Sequence, residues 1–487
     1  MLRVLCAFLA LPLLATAAPV PPADNRASEE ALKQAVEVLN KAGGDANTRV
    51  DLWCGVAQLR QRLGDRSGAL EALREARTIS DKRPRAAVES WVRFATVLGR
   101  FGEAKAVLDL AATVPEKMEK RRDNPRNTVL QEAATAAAHA GHTRAAEQIT
   151  EALTDAAARE RLRETIRRSV IVARLKAGDA TAALNALEEL TSAEEKVFAL
   201  VGRPMPGIGY DDIGETDGIA SARLQAGDKD GAKDAALKAL ALLPDVDKPR
   251  RTVTALAVVR VLARLDDVPG AKKALAHIPA ADPARVGKDE DRGRATQELL
   301  AKGFVAAAEV RTGGDAKDIV KDVSSRGDRA YLLHHIALAQ ARVGRKDEAK
   351  TSFALALEHA AADPEGRGTP HNIASAQALA GDVDGAARTA DQFRCSVVTW
   401  VNIAHAQIRA GNFDSAREIA GARIARESAS WYATILRNVA REQAGAGRAA
   451  AVREWAGKLD DELLRVQALL GLAEGLYRAP VKQPAKR

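Results

Sequence analysis

From His334 to Ala349 the chain reads HHIALAQARVGRKDEA, and the same design returns as HNIASAQALAGDVDGA from His371 and as VNIAHAQIRAGNFDSA from Val401. Each copy centres on a glycine, Gly344, Gly381 or Gly411, with an alanine five residues later, Ala349, Ala386 or Ala416. Apolar residues stand eight, five and one before the glycine: Ile336, Ala339, Val343 in one copy and Ile403, Ala406, Ala410 in another. Steps of three and four place them on one face of a helix. Glycine ends that helix because it enters the left-handed conformation at little steric cost. The Asp or Asn after it, as in Asp382 and Asn412, is suited to cap the next helix. The small alanine then lets the second helix come close to the first. The stretch predicts helix, tight turn, helix.

Working backward, the template fits at Gly64 with Ala69, Gly99 with Ala104, Gly141 with Ala146, Gly178 with Ala183, and Gly227 with Ala232. Asp266 with Ala271 fits with Asp in the glycine place, and Gly313 fits at the turn with Asp318 in the alanine place. Working forward, Gly447 is a last copy in which the register after the turn slips by one residue. The period is about 38 residues, which denotes stacked helix pairs, since one pair buries too little to stand alone. The expected architecture is all-α: about eleven antiparallel helix pairs over residues 45–459, after a linker and leading helix over 18–44. A capping helix over 460–477 has no full partner after it. Residues 202–214, 279–294 and 363–370, rich in Gly, Pro and charge, read as loops between repeats. The basic end 478–487 reads as a disordered tail.

The first residues have the layout of a secretory signal peptide, with Arg3, an apolar run from Val4 to Leu14, and small residues before a cleavage expected after Ala17. That run is too short to span a bilayer, and no later stretch reaches the ~20 apolar residues that a membrane helix needs. The expected address is periplasmic or secreted, without a transmembrane anchor. Cys54 and Cys395 remain after residue 17 and stand far apart in the chain, so a disulfide framework is not what holds this fold. The net charge of +8 is spread over a chain that is 28% charged and only 3% aromatic. That composition disfavours nucleic acid, because stacking platforms are few.

The unit resembles the tetratricopeptide repeat (TPR). That family has a small residue seven before the turn glycine, here Ala57, Ala220, Ala337, Ala374 and Ala404. It has packing positions nine and twelve after, here Leu73 with Ala76, Leu108 with Ala111, Ala236 with Ala239, and Phe353 with Ala356. Trp53 and Trp400 stand eleven before the glycine, and Pro244 and Pro283 seventeen after, also as in that family. Departures are the Gln or Arg four before the glycine, where an aromatic is usual, and the longer, irregular period. Gln340, Gln377, Gln407, Gln443, Arg60, Arg174 and Arg223 hold that place. The resemblance covers roughly residues 45–477 and implies a right-handed α-solenoid, a TPR-like superhelix.

The resemblance further implies a binding face formed by first helices at positions ten, nine, six and two before the turn. The late repeats carry His334, His335, Arg342, His371, Asn372, Asn402, His405, Arg409, Arg437, Asn438 and Arg441 there. Asn372, Asn402 and Asn438 match a position where some relatives clamp a peptide backbone or carboxylate. The same residues also suit a merely solvated helix face. His139 with His142 lacks further ligands at a zinc spacing, and no metal or cofactor is expected. Gly207-Ile208-Gly209 lacks the third glycine of a dinucleotide site, and Asp211 with Asp212 reads as a solvated loop. The expected function is a non-catalytic extracytoplasmic scaffold that binds a protein or peptide. The alternative is an extracytoplasmic enzyme of cell-wall hydrolase or lyase type on a helical framework, which needs converging carboxylates, or a His with a carboxylate.

Overall fold

The computed structural model describes residues 25–81, 87–116, 124–176, 178–202, 218–279, 289–363 and 369–477. The expected signal peptide, Gly207 to Asp212, most of the loops 202–214, 279–294 and 363–370, and the basic tail lie outside the described residues. The chain is all-helical, with 81% helix and no strand among the described residues.

It divides into two compact units, one made of residues 1–82 and 407–487 and the other of 83–406. The first unit begins with α1 (Asn25–Lys41), α2 (Ala46–Arg62) and α3 (Arg66–Asp81). The second holds α4 (Ala87–Arg100), α5 (Ala104–Thr113), α6 (Pro125–His139), α7 (Thr143–Glu151), α8 (Ala156–Lys176) and α9 (Ala180–Glu188). It continues with α10 (Ala193–Val201), α11 (Ile219–Gln225), α12 (Lys229–Leu242), α13 (Lys248–Arg264), α14 (Val268–Leu275) and α15 (Asp289–Arg311). Next come α16 (Lys317–Lys321), α17 (Arg326–Arg342), α18 (Lys346–Ala362), α19 (Pro370–Leu379), α20 (Val383–Gln392) and most of α21 (Val397–Arg409). The first unit is completed by α22 (Phe413–Ile419), α23 (Ala429–Gly445), α24 (Ala449–Gly457) and α25 (Glu462–Leu476).

Within the second unit, helices pair in sequence, α4 with α5, α6 with α7, α8 with α9, α13 with α14, α17 with α18 and α19 with α20. First helices also pack on first helices: α4 on α6, α6 on α8, α13 on α15, α15 on α17 and α17 on α19. The apolar residues of the repeat explain both contacts. Ile336, Ala337 and Ala339 are buried on α17, and Ala349, Phe353 and Ala356 on α18. Burying a side chain such as Phe353 contributes roughly 1.5–3 kcal/mol. The alanines five after the turn, Ala69, Ala146, Ala183, Ala232, Ala271, Ala386 and Ala416, are all 0% exposed, as close approach of paired helices requires.

The turns have one construction. At Gly381 the backbone is left-handed (φ 85°), its N–H reaches Ala378 O, and the Asp382 N–H reaches back to Gln377 O at 2.9 Å. This Schellman arrangement satisfies carbonyls that the helix end leaves open. Asp382 then caps α20 by accepting from the Gly385 N–H at 3.0 Å. Asp65, Asp179, Asp228 and Asp267 cap in the same way. Asp266 takes the left-handed conformation (φ 57°), so Asp does stand in the glycine place there.

Four expectations need correction. Gly99 is not a turn: it lies inside α4, and Gly102 (φ 72°) makes the turn. Counted from Gly102, the template positions are Phe94, Ala95, Val97, Val107, Ala111 and Val114, and all are buried. After Gly447 there is no slip, since Val452, five residues on, is 0% exposed. The position one before the glycine is not uniformly core: Phe101 before Gly102 is 5% exposed, but Val343 before Gly344 is 41% exposed, because the chain there is already turning away from the packed face. Asn412 makes no cap, its amide donating instead to Gln407 Oε1 at 2.7 Å.

Two further findings concern segments whose partners the repeat pattern left open. The backbones of Gly202 and Gly218 stand against each other, and α10 and α11 both pack on α8 and α12. The chain therefore leaves and re-enters at one point along a first-helix position rather than between repeats. In the first unit, α25 packs on α23 and is also covered by α1 and α2, with Ser28 Oγ donating to Ala473 O at 2.8 Å. The last helix does have a partner, supplied by the beginning of the chain.

Candidate functional site

The expected site residues divide between the units, and each group is described in its own unit. In the second unit His334 is 0% and His335 5% exposed, so neither stands on a solvated helix face. Their rings stack at 4.5 Å between centroids, with Tyr331 edge-on to His334 at 5.0 Å and Phe304 of α15 edge-on to His335 at 6.1 Å. Gly303 makes room for this: a Cβ there would meet the His335 ring. Burial, with the neighbouring His335 adding, holds His334 well below the usual imidazole range, although its contact with Ala330 O acts the other way. Burial and the charge of Arg342 push His335 down to about 3. Both rings are neutral packing groups at physiological pH.

On α19, His371 Nε2 accepts from the Ser396 N–H at 3.1 Å, which ties the start of α19 to the turn before α21. Asn402 on α21 donates to Ser375 Oγ of α19 at 3.0 Å, and that hydroxyl donates in turn to His371 O. These two side chains therefore join successive first helices. Asn372 and His405 are half-buried and Arg342 is exposed.

In the first unit, Arg437 is held by Glu474 of α25 through Nη2 at 2.5 Å and packs over Gly55 of α2. That charge-assisted bond clamps α23 to α25. Arg441 pairs with its neighbour Glu442 at 2.9 Å, Asn438 is half-buried, and Arg409 is exposed.

The structure brings forward a pattern that the late repeats show only in part. Two residues before the turn stand Arg62, Arg100, His139, Arg264, Arg342 and Arg409, all exposed. Basic groups there favour the negative end of the helix by about 0.3–1 kcal/mol. They also present a cation at one register position on several first helices. The signal was available in the sequence once the turn at Gly102 replaced Gly99. Cys54 and Cys395 are buried and form no disulfide, and burial raises the Cys395 thiol. Among the described residues no group of three or more His, Cys, Asp or Glu side chains is placed to hold a metal. No described helix is long and apolar enough to cross a membrane.

No protein-family model matches the chain, and no curated protein matches it significantly.

Proposed function

We propose that the chain is a non-catalytic extracytoplasmic scaffold that binds a protein or peptide along its first helices, with TPR-like, right-handed stacking of helix pairs inside each unit. The observation that carries this reading is the recurrence of an exposed basic residue two positions before six of the turns, on helices whose other faces are taken up by packing. A repeated structure places equivalent side chains at regular steps, which suits an extended ligand better than a single small molecule. The binding residues of this reading are Arg342, Asn372 and His405 in the second unit and, separately, Arg409 and Asn438 in the first, with His371, Asn402 and Arg437 holding the helices that present them. Export rests on the N-terminal signal layout, and the inference from repeat architecture to binding is by analogy.

The test is affinity capture from the extracytoplasmic fraction with the intact chain, Arg342→Glu and Arg409→Glu in parallel. Each reversal lies at an exposed position, so folding should survive. A defined partner retained by the intact chain and lost from either variant supports the reading. Equal recovery of every partner by all three proteins overturns the first-helix face.

A further inference from the structure

Arg260 lies on α13, six residues before the left-handed Asp266. Its Nη1 and Nη2 are sealed from solvent and have no hydrogen-bond partner among the described residues. Among the described residues it is the one arginine of which this holds for both terminal nitrogens. Two other arginines of α13, and one that reaches the turn after it, are matched. Arg250 pairs with Glu194 at 2.6 Å, Arg251 donates to the carbonyls of Pro244 and Val246, and Arg311 pairs with Asp266 at 2.7 Å.

α13 itself supplies Lys248, Arg250, Arg251, Arg260 and Arg264 and no acid. Arg264, one turn beyond Arg260, is exposed. Burial first, and then the charge of Arg264, pulls Arg260 down to about 10, which leaves it charged at neutral pH. Two cations on one helix face, one of them desolvated and without an acceptor, form an arrangement that the chain does not balance by itself. A guanidinium offers two parallel N–H groups that match an oxyanion. A doubly charged oxyanion would balance both side chains.

We propose that Arg260 and Arg264 form an oxyanion-binding site on α13 for a phosphate group, free or as a monoester, Arg260 donating two hydrogen bonds and Arg264 drawing the anion in. This site shares Arg264 with the basic register of the scaffold reading but does not rest on that reading, because it needs only a small ligand and one helix.

The experiment is thermal unfolding of the full chain in rising inorganic phosphate, at ionic strength held constant with sodium chloride, with O-phosphoserine and acetate as parallel arms. The midpoint of the wild type should rise by about 2 °C or more and saturate. Arg260→Met should fold, with a midpoint at or above that of the wild type without phosphate, and should not respond to phosphate. Arg264→Met should respond with roughly tenfold weaker affinity. Arg260→Lys, which keeps the charge and loses the fork, should also lose the response, and it serves as the second variant if Met does not fold. A response to phosphoserine but not to inorganic phosphate assigns the site to monoesters and supports it. A flat response of the wild type to both phosphates overturns the site, as does an equal rise in wild type and Arg260 variants or a response to acetate as strong as to phosphate.

Discussion

Thr389 on α20 donates its hydroxyl hydrogen to Gln377 Oε1 on α19 at 2.8 Å, and both side chains are buried. The same bond recurs between Ser352 and Gln340 at 2.8 Å and between Trp455 Nε1 and Gln443 at 3.0 Å, always twelve residues apart. Where Arg replaces Gln four before the turn, it uses the carbonyl eight residues on instead. Arg60 donates to Gly68 O at 2.7 Å, Arg174 to Ala182 O at 3.3 Å and Arg223 to Gly231 O at 3.1 Å. The position that departs from the tetratricopeptide pattern thus carries a polar staple between the two helices of a pair. Thr389→Val removes the donor and strands a buried amide oxygen, which costs about 1–3 kcal/mol. Gln377→Leu with Thr389→Val removes both partners and should recover most of that loss. Urea unfolding of the two single variants and the double gives the coupling, and additive losses would show that the staple contributes nothing as a pair.

Gly99 and Gly141 should respond to alanine in different ways. A helix-interior glycine ordinarily gains about 1 kcal/mol on becoming Ala. At Gly99 the added Cβ would run into the Ala133 carbonyl of α6, so the sign reverses and the α4–α6 contact is forced apart. Gly141 has open space around its Cβ position but a φ of 84°, so Ala there meets only backbone strain, about 1 kcal/mol. Gly99→Ala is expected to lose more stability than Gly141→Ala in chemical denaturation. The reverse order would mean that α4 and α6 do not approach closely at Gly99.

The buried histidines make stability fall with acid. Both have folded-state values below the ordinary 6.5, so below that pH the unfolded chain binds protons that the folded chain refuses. Their contribution is intact above pH 6.5 and declines as the pH falls toward about 3, where His335 protonates in the fold. At pH 4.5 His335 alone should cost about 2–3 kcal/mol relative to pH 7.5. Unfolding free energies at the two pH values should differ less in the His334→Leu, His335→Leu double variant. An unchanged difference would mean that these rings are not the source.

The features legible in the sequence were those set within one helix pair. The left-handed glycine, the Asp cap and the small residue opposite it act over a dozen residues, so spacing alone finds them at Gly227 and Gly381. Gly99 misled because Ala104 also stands five residues after it, and only the backbone of α6 shows why Gly99 is small. His334 and His335 occupy positions that the resemblance assigns to an open face, yet Phe304 and Gly303 of the previous repeat close over His335, and Tyr331 and His335 pack on His334. The pairing of Gln with the residue eight after the turn was hidden because Ser, Thr and Trp all serve as donor. Each miss depends on a neighbour that a single repeat does not contain.

The partner of α25 is the longest-range of these. α25, the last of the described helices, presents Val466, Leu470 and Ala473, all 0% exposed. α1 buries Ala31, Leu32, Ala35 and Leu39 in the same unit, and Ser28 caps the contact through Ala473 O. The connection spans 445 residues of sequence, so its loop-closure entropy is high and it should form late and open early. Hydrogen exchange of the intact chain should therefore show α1 and α25 opening together, at lower free energy than α17 and α18. Leu39→Ala, which removes a 0% exposed side chain, should cost about 2–5 kcal/mol locally and speed exchange in α25 far more than in α17. Faster exchange in α1 with none in α25 would mean that the last helix does not depend on the first. Equal acceleration in α17 would mean that the loss is global.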